Sequence, residues 1–310
     1  MVAALVPAQL IASVGAASGV SYLSRSWDGS KVVTETKTAD CQDYNSNITD
    51  LNGWYYVNGN HEVSQRLNVT GTANIVILDG STLSAKDGIH VPEGTTLNVY
   101  NTPGGENGRL VCQVDTDNAA AIGGNEGEVC GTVNIYSGTV IANTRDYGGE
   151  DAAGIGGGFK GYGGHINIYG GKIDATGGSV NTNGGAGIGG GGQGWGGYIT
   201  IYGGNVTAHG GINAAGIGGG DEGEGGDITI RTGHVDGFGG SVNSDGGAGI
   251  GGGNEKSGGK ISILGGSVWA IGGCDAAGIG GGDYGEGGNI TIANDSFVRA
   301  EGGKYGAGIG

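Results

Sequence analysis

Residues able to carry chemistry gather in three places. Asp227, Arg231, His234 and Asp236 put two carboxylates, a guanidinium and an imidazole on one stretch of chain. Carboxylates that hold a metal beside an arginine base suit proton abstraction from an acidic sugar, so this cluster is the enzymatic candidate, of the polysaccharide lyase kind. Tyr100, Tyr136, Tyr169 and Tyr202 recur beside a row of polar residues that includes Asn134 and Asn167. Tyrosine rings pack on the apolar C–H faces of sugars and asparagine amides bond hydroxyls, so the two rows together suit a glycan. Acidic residues recur in glycine-rich loops: Glu126 and Glu128, then Asp221, Glu222 and Glu224, then Asp283 and Glu286. Calcium takes six to eight oxygens from carboxylates, carbonyls and water, which such loops could offer, and the chain suits no other cofactor. The same acids would equally keep a glycine-rich surface in solution.

Other chemistries lack their residues. A phosphate-binding loop needs Gly-Lys-Ser/Thr, which the chain lacks. Calcium-binding nonapeptide repeats need a nine-residue step, which Gly219-Gly220-Asp221-Glu222-Gly223-Glu224 matches in composition alone. Net charge is −16 with 14 Lys plus Arg, so the basic stripe of a nucleic-acid binder is missing. No run of eighteen apolar residues offers a membrane span. Cys41, Cys112, Cys130 and Cys274 have no CxxC spacing and suit neither zinc nor a disulfide scaffold. Buried thiols are expected, with a Cys112–Cys130 bridge as the alternative.

The elements that must position these residues are read from a repeat. Glycine supplies 79 of 310 residues and proline three, without the triplet period of collagen. Residues 199–220, ITIYGGNVTAHGGINAAGIGGG, contain three apolar stations: Ile-x-Ile, Val-x-Ala and Ala-Gly-Ile-Gly. The first station opens at Val133, Ile166, Ile199, Ile228, Ile261 and Ile290, at steps of 33, 33, 29, 33 and 29. The third-station isoleucines fall at 89, 122, 155, 188, 217, 250, 279 and 309. Leu67-Asn68-Val69 and Leu97-Asn98-Val99 read as earlier first stations, which gives eight turns from about Arg66.

Side chains alternate across a strand, so Ile166, Ile168, Ile173 and Ala175 point inward while Asn167, Tyr169 and Asp174 point outward. Cys112 then takes the small inward place that Ala142, Ala175 and Ala208 hold in other turns. The outward rows read Asn68, Asn98, Asn134, Asn167, Thr200, Thr229, Ser262, Thr291 and Tyr100, Tyr136, Tyr169, Tyr202, Arg231, Leu264. With turns about 4.8 Å apart, four tyrosines span about 14 Å. Such ladders also stabilise a stack by themselves. The fold expected is all-β: a right-handed parallel β-helix with three short strands per turn of roughly 29–36 residues. A β-prism or flat glycine-rich sheet stack is the alternative.

Residues 53–310 read as one solenoid domain that stops inside a third station, as a truncated array would. Residues 23–52 read as a linker or cap. Residues 1–22 read as an apolar segment like the later part of a secretory signal, or as an ordered N-terminal cap.

Trp54-Tyr55-Tyr56-Val57, Arg66-Leu67-Asn68-Val69, Ile77-Leu78-Asp79-Gly80-Ser81-Thr82-Leu83 and Gly88-Ile89-His90-Val91 precede the AGIGGG repeats. In this order they resemble glycine-rich β-helical repeat proteins that anaerobic gut-type bacteria secrete or display. The resemblance covers about residues 53–310. It implies an extracellular β-helix, often beside carbohydrate-binding or cell-wall modules, and supplies no catalytic residues. The function expected is a non-enzymatic structural or adhesive segment, extracellular or at the cell surface, that contacts a glycan or a host or cell-wall surface.

Overall fold

The structure is a computed structural model that describes residues 15–114, 118–144, 151–179, 183–242 and 245–310. It is a parallel β-solenoid, and the described residues contain no helix. Three ladders run its length. The first stacks Thr96–Asn101, Thr132–Ile135, His165–Ile168, Tyr198–Ile201, Asp227–Ile230, Lys260–Ile263 and Asn289–Ile292. The second joins the Val-x-Ala stations from Arg109–Cys112 to Ser296–Glu301. The third joins two-residue Ile-Gly strands, with Ile122 paired to Ile155, Ile155 to Ile188 and Ile188 to Ile217. The regular turns number about seven rather than the eight expected.

The difference lies in the first turns. Four strands precede the regular array: β1 (Ala16–Trp27), β2 (Val32–Asp43), β3 (Asp50–Val57) and β4 (Asn60–Val63). The next, β5 (Leu67–Ile77), is eleven residues long and passes through a corner that later turns form with glycine. Its start, Leu67 and Asn68, pairs with Ile89 and His90 in the third ladder. Its end, Ala73-Asn74-Ile75, pairs with Leu97-Asn98-Val99 in the first. Asn74, not Asn68, therefore heads the asparagine row.

Inside the array, the alternation holds. Ile166, Ile168, Ile173, Ala175 and Ile188 are fully buried, and so are their equivalents up to Ile279. The few aliphatic side chains of one turn cannot offset the entropy of ordering its loops. Each turn is stable because its strands hydrogen-bond to the turns on both sides.

Glycine is required where the third ladder turns. Gly218 has φ of 134°, and a Cβ there would sit 2.0 Å from the carbonyl oxygen of Gly251 in the next turn. Gly123, Gly156, Gly189, Gly251 and Gly280 repeat this conformation. The loop beyond repeats a left-handed residue that is not glycine: Lys160, Gln193, Glu222, Glu255 and Tyr284. These loops stack in register by backbone hydrogen bonds, such as Lys160 N–H to the Gly192 carbonyl and Gln193 N–H to the Asp221 carbonyl.

The cysteines are free thiols. Cys112 pairs with Ala142 and is buried, as its place in the Val-x-Ala row implies. The Cys112–Cys130 bridge is not formed. Burial pushes the Cys130 thiol up to about 12 and the Cys112 thiol higher still. Half-buried Arg66 lies near both and donates to the carbonyls of Asp87 and Ala120 at 2.8 and 2.9 Å.

The N-terminal segment departs from the expected division. Residues 1–14, most of the signal-like stretch, lie outside the described residues. The proposed boundary at 22/23 falls inside β1, and what was read as linker or cap is largely a β-hairpin. β1 and β2 pair antiparallel from Val20–Ala39 to Trp27–Val32. The end of β2 joins β3, so the hairpin is hydrogen-bonded to the solenoid. No helix among the described residues is long and apolar enough to cross a membrane.

Candidate functional site

The tyrosine row forms a continuous stack. Tyr100 and Tyr136 lie 4.5 Å apart at 7° between ring planes, Tyr136 and Tyr169 4.9 Å at 5°, and Tyr169 and Tyr202 4.5 Å at 4°. The asparagine row is consumed in the same way. Asn98 donates to Asn74, Asn134 to Asn98 and Asn167 to Asn134, each at 2.8–2.9 Å. Asn98 and Asn134 each spend a donor and an acceptor on their neighbours, which is how a polar ladder stabilises a stack.

The hairpin lies on this column. Tyr22 packs on Trp54 and Tyr100 at 4.9 and 4.8 Å, and Trp27 on Tyr202 at 5.9 Å. Arg25 reaches the Tyr136 carbonyl and pairs with Glu106. Tyr100 is only 7% exposed, while Tyr136, Tyr169 and Tyr202 are half-buried. Burial also raises the Tyr100, Tyr136 and Tyr169 hydroxyls above the usual phenol range, Tyr169 to about 12. This corrects the expectation of an open glycan surface at Tyr100, Tyr136, Tyr169, Tyr202, Asn134 and Asn167. The apolar rings that would have met sugars instead meet β1 and one another. Sequence gave no sign of this because the covering strand lies more than seventy residues from the rings it covers.

The enzymatic cluster is divided. Asp227 pairs with Lys260 at 3.0 Å at the start of the first ladder. Arg231 sits at the corner over Trp27 and Tyr202, at 5.3 and 5.8 Å from the ring centres. His234 and Asp236 pair at 3.3 Å on the second ladder. Adjacent sequence spreads over two faces because the chain turns between Arg231 and His234.

An exposed aromatic ridge stands on the loops that lead into the first ladder. Tyr162 is 48% exposed and Tyr198 49%. Trp195 lies between them, 6.2 Å from Tyr162 and 5.0 Å from Tyr198, edge-on to both. His165 stacks on Tyr198 at 4.7 Å. Tyr162 and Trp195 are one turn apart, since Gly163 N–H bonds the Trp195 carbonyl just as Cys130 N–H bonds that of Tyr162. The next residue of this column is Glu224, whose carbonyl accepts from Gly196. A groove of about 550 Å³ runs between Tyr162, Trp195, Gln193, Glu222, Glu224 and Lys256. Gln193 donates to Glu222 at 3.3 Å across it. Aromatic faces therefore stand beside an amide, two carboxylates and an ammonium.

The acidic residues separate by depth. Glu222, Glu224 and Glu286 are exposed, while Asp221 and Asp283 are buried. Burial first, then the Glu222 charge, pushes the Asp221 carboxyl up to about 7. Burial and Asp275 push that of Asp283 up. Among the described residues no three His, Cys, Asp or Glu side chains converge in metal-ligating geometry. Glu126 and Glu128 belong to an earlier loop, where Glu128 pairs with His90 at 2.6 Å.

Four segments, residues 133–159, 166–192, 199–221 and 261–283, match the family model of the beta helix repeat. No curated protein matches the chain, and no solved structure does.

Proposed function

We propose that this chain is a non-enzymatic, extracellular or cell-surface β-helix that holds glycans in the groove beside Tyr162, Trp195 and Tyr198. The repeat fold is compatible with both surface-adhesive and carbohydrate-active proteins. The observation that carries the choice is the aromatic ridge: Tyr162 and Tyr198 exposed, with Trp195 half-buried between them, beside a polar groove that Tyr162 and Trp195 line. Apolar sugar faces pack on Trp195 and Tyr198, and their hydroxyls meet Gln193, Glu222, Glu224 and Lys256. The rigid stack beneath fixes the rings before a ligand arrives, which lowers the ordering cost of binding. Exposed stacking contacts are weak singly, so retention depends on several copies of protein or ligand.

The four residues of the lyase alternative serve separate faces, and the proposal assigns no turnover to them. A broad glycan array probed with the intact chain tests the reading. Retention of one or a few related oligosaccharides supports it. No retention at any density, or release of unsaturated products from an acidic polysaccharide, overturns it.

A further inference from the structure

The tyrosine column and the hairpin that covers it end together. Tyr202 is the last ring of the column, and the next two turns place Arg231 and then Leu264 there. The paired part of β1 and β2 ends at Trp27–Val32. Asp28 ties the turn between them. Its N–H donates to the Lys31 carbonyl at 3.1 Å, and its Oδ1 accepts from the N–H groups of Ser30 and Lys31 at 2.8 and 2.9 Å. Between this turn and the solenoid lies a groove of about 610 Å³, lined by Trp27, Lys31, Arg231, Leu264 and Asp295 among others.

The groove carries positive charge that the chain leaves unpaired. Arg231 lies over the Trp27 and Tyr202 rings, which attract a cation but do not replace acceptors for its five N–H donors. Among the described residues its side chain makes no hydrogen bond, and its Nε is shielded from solvent without a partner. Neither Arg231 nor Lys31 forms an ion pair there. Asp28 feels the Lys31 charge, but its Oδ1 is held by the turn. Asp295 lines the groove and pairs with neither cation. The chain has only 14 Lys plus Arg against a net charge of −16, so two unpaired cations on one groove call for an anionic ligand.

We propose that this groove binds an acidic sugar, with its carboxylate on Arg231 and Lys31 and its apolar face against Trp27 and Leu264. A guanidinium meets both oxygens of a carboxylate in one plane, and the ammonium of exposed Lys31 adds a point charge. Trp27 is half-buried and Leu264 is 37% exposed, so both offer apolar surface to a ring. Two cations opposed by Asp295 suit one negative charge better than a phosphate dianion. The choice of a sugar as carrier rests on the glycan reading above, whereas the anion chemistry stands without it.

The test is calorimetric titration of the full chain with xylotriose bearing one glucuronic acid, beside its neutral methyl ester. The expected result is saturable binding of the acid, weakened at least about tenfold by esterification and weakened by added salt. Arg231→Gln should weaken it at least about tenfold, and Asp295→Asn should tighten it. Lys31→Gln, on the exposed turn, should weaken it as well and supplies the reading if Arg231→Gln does not fold. Lys172→Gln, an exposed cation on the second ladder, should bind as the wild type does. Trp195→Ala/Tyr198→Ala separates the two sites. Binding lost there and kept in Arg231→Gln would put the acid in the ridge groove, overturning this proposal while the earlier reading stands. Absence of saturable binding, equal affinity for the ester, or inorganic sulfate bound as tightly as the sugar also overturns it.

Discussion

Arg25 donates from Nη1 to the backbone carbonyl of Tyr136 at 2.6 Å, across 111 residues of sequence. That contact ties the N-terminal hairpin to the tyrosine column and makes the column an internal seam. Tyr22 lies in the same seam, 8% exposed between Trp54 and Tyr100. Tyr22→Ala should therefore cost about 3 kcal/mol, as loss of a buried aromatic does. Chemical denaturation checks it. An unchanged midpoint would mean that the hairpin does not hold the column.

Gly218 and Gly29 both have positive φ, 134° and 106°, but only Gly218 faces the backbone of another turn. A Cβ at Gly29 meets nothing within 4 Å. Gly29→Ala should cost about 1 kcal/mol from conformation alone. Gly218→Ala should exceed about 4 kcal/mol, because the third ladder must open to admit the methyl group. Melting of the two variants side by side checks the difference, and equal losses would contradict the close packing of turns.

Thiol reactivity should follow burial. Cys41, Cys112 and Cys130 are buried, and Cys274 is half-exposed. Burial raises the Cys41 thiol to about 11 and the Cys130 thiol to about 12, so neither forms the reactive thiolate near neutral pH. A thiol reagent should modify one cysteine per folded chain and four after denaturation. Mass spectrometry should place the first label on Cys274. Cys112→Ala should shift stability by less than about 1 kcal/mol, since alanine already fills that place in other turns.

Glu128 should add acid sensitivity. Burial alone would raise its carboxyl, but the Asn125 N–H and His90 hold it below the ordinary glutamate value. A folded-state value below the unfolded one adds stability above about pH 4.3, and this is lost as pH falls through the folded value. The stability advantage of wild type over Glu128→Gln should thus shrink as pH falls below about 4.3 and through the lowered folded-state value. Urea denaturation across that range checks it. An advantage that grew on acidification would reverse the assignment.

Much of the solenoid is legible in the sequence because its signal is local and repeated. Ile-x-Ile, Val-x-Ala and Ile-Gly each recur in place, and alternation fixes which side chains face the core. Leu67-Asn68-Val69 misled because β5 runs through the corner as one continuous strand, so a first-station pattern settled in the third ladder. The covering of Tyr100 and Tyr136 was hidden for another reason: Tyr22 and Arg25 carry no repeat and reach the column through tertiary packing. The burial of Asp221 and Asp283 could have been found by counting four residues from the third-station isoleucines Ile217 and Ile279. Acidic residues in mobile-looking glycine loops were instead grouped by neighbourhood, which mixed buried Asp221 with exposed Glu222 and Glu224.

Retention on an immobilised glycan identified by the array, compared among three proteins, tests the central claim most directly. The wild type should be retained, and Trp195→Ala/Tyr198→Ala should lose retention while its circular dichroism and melting stay close to wild type. Tyr136→Ser/Tyr169→Ser, altered in the covered column, should keep retention in whatever fraction remains folded. Undiminished retention by the Trp195/Tyr198 variant, or loss confined to the folded Tyr136/Tyr169 variant, would contradict a glycan site in the exposed groove.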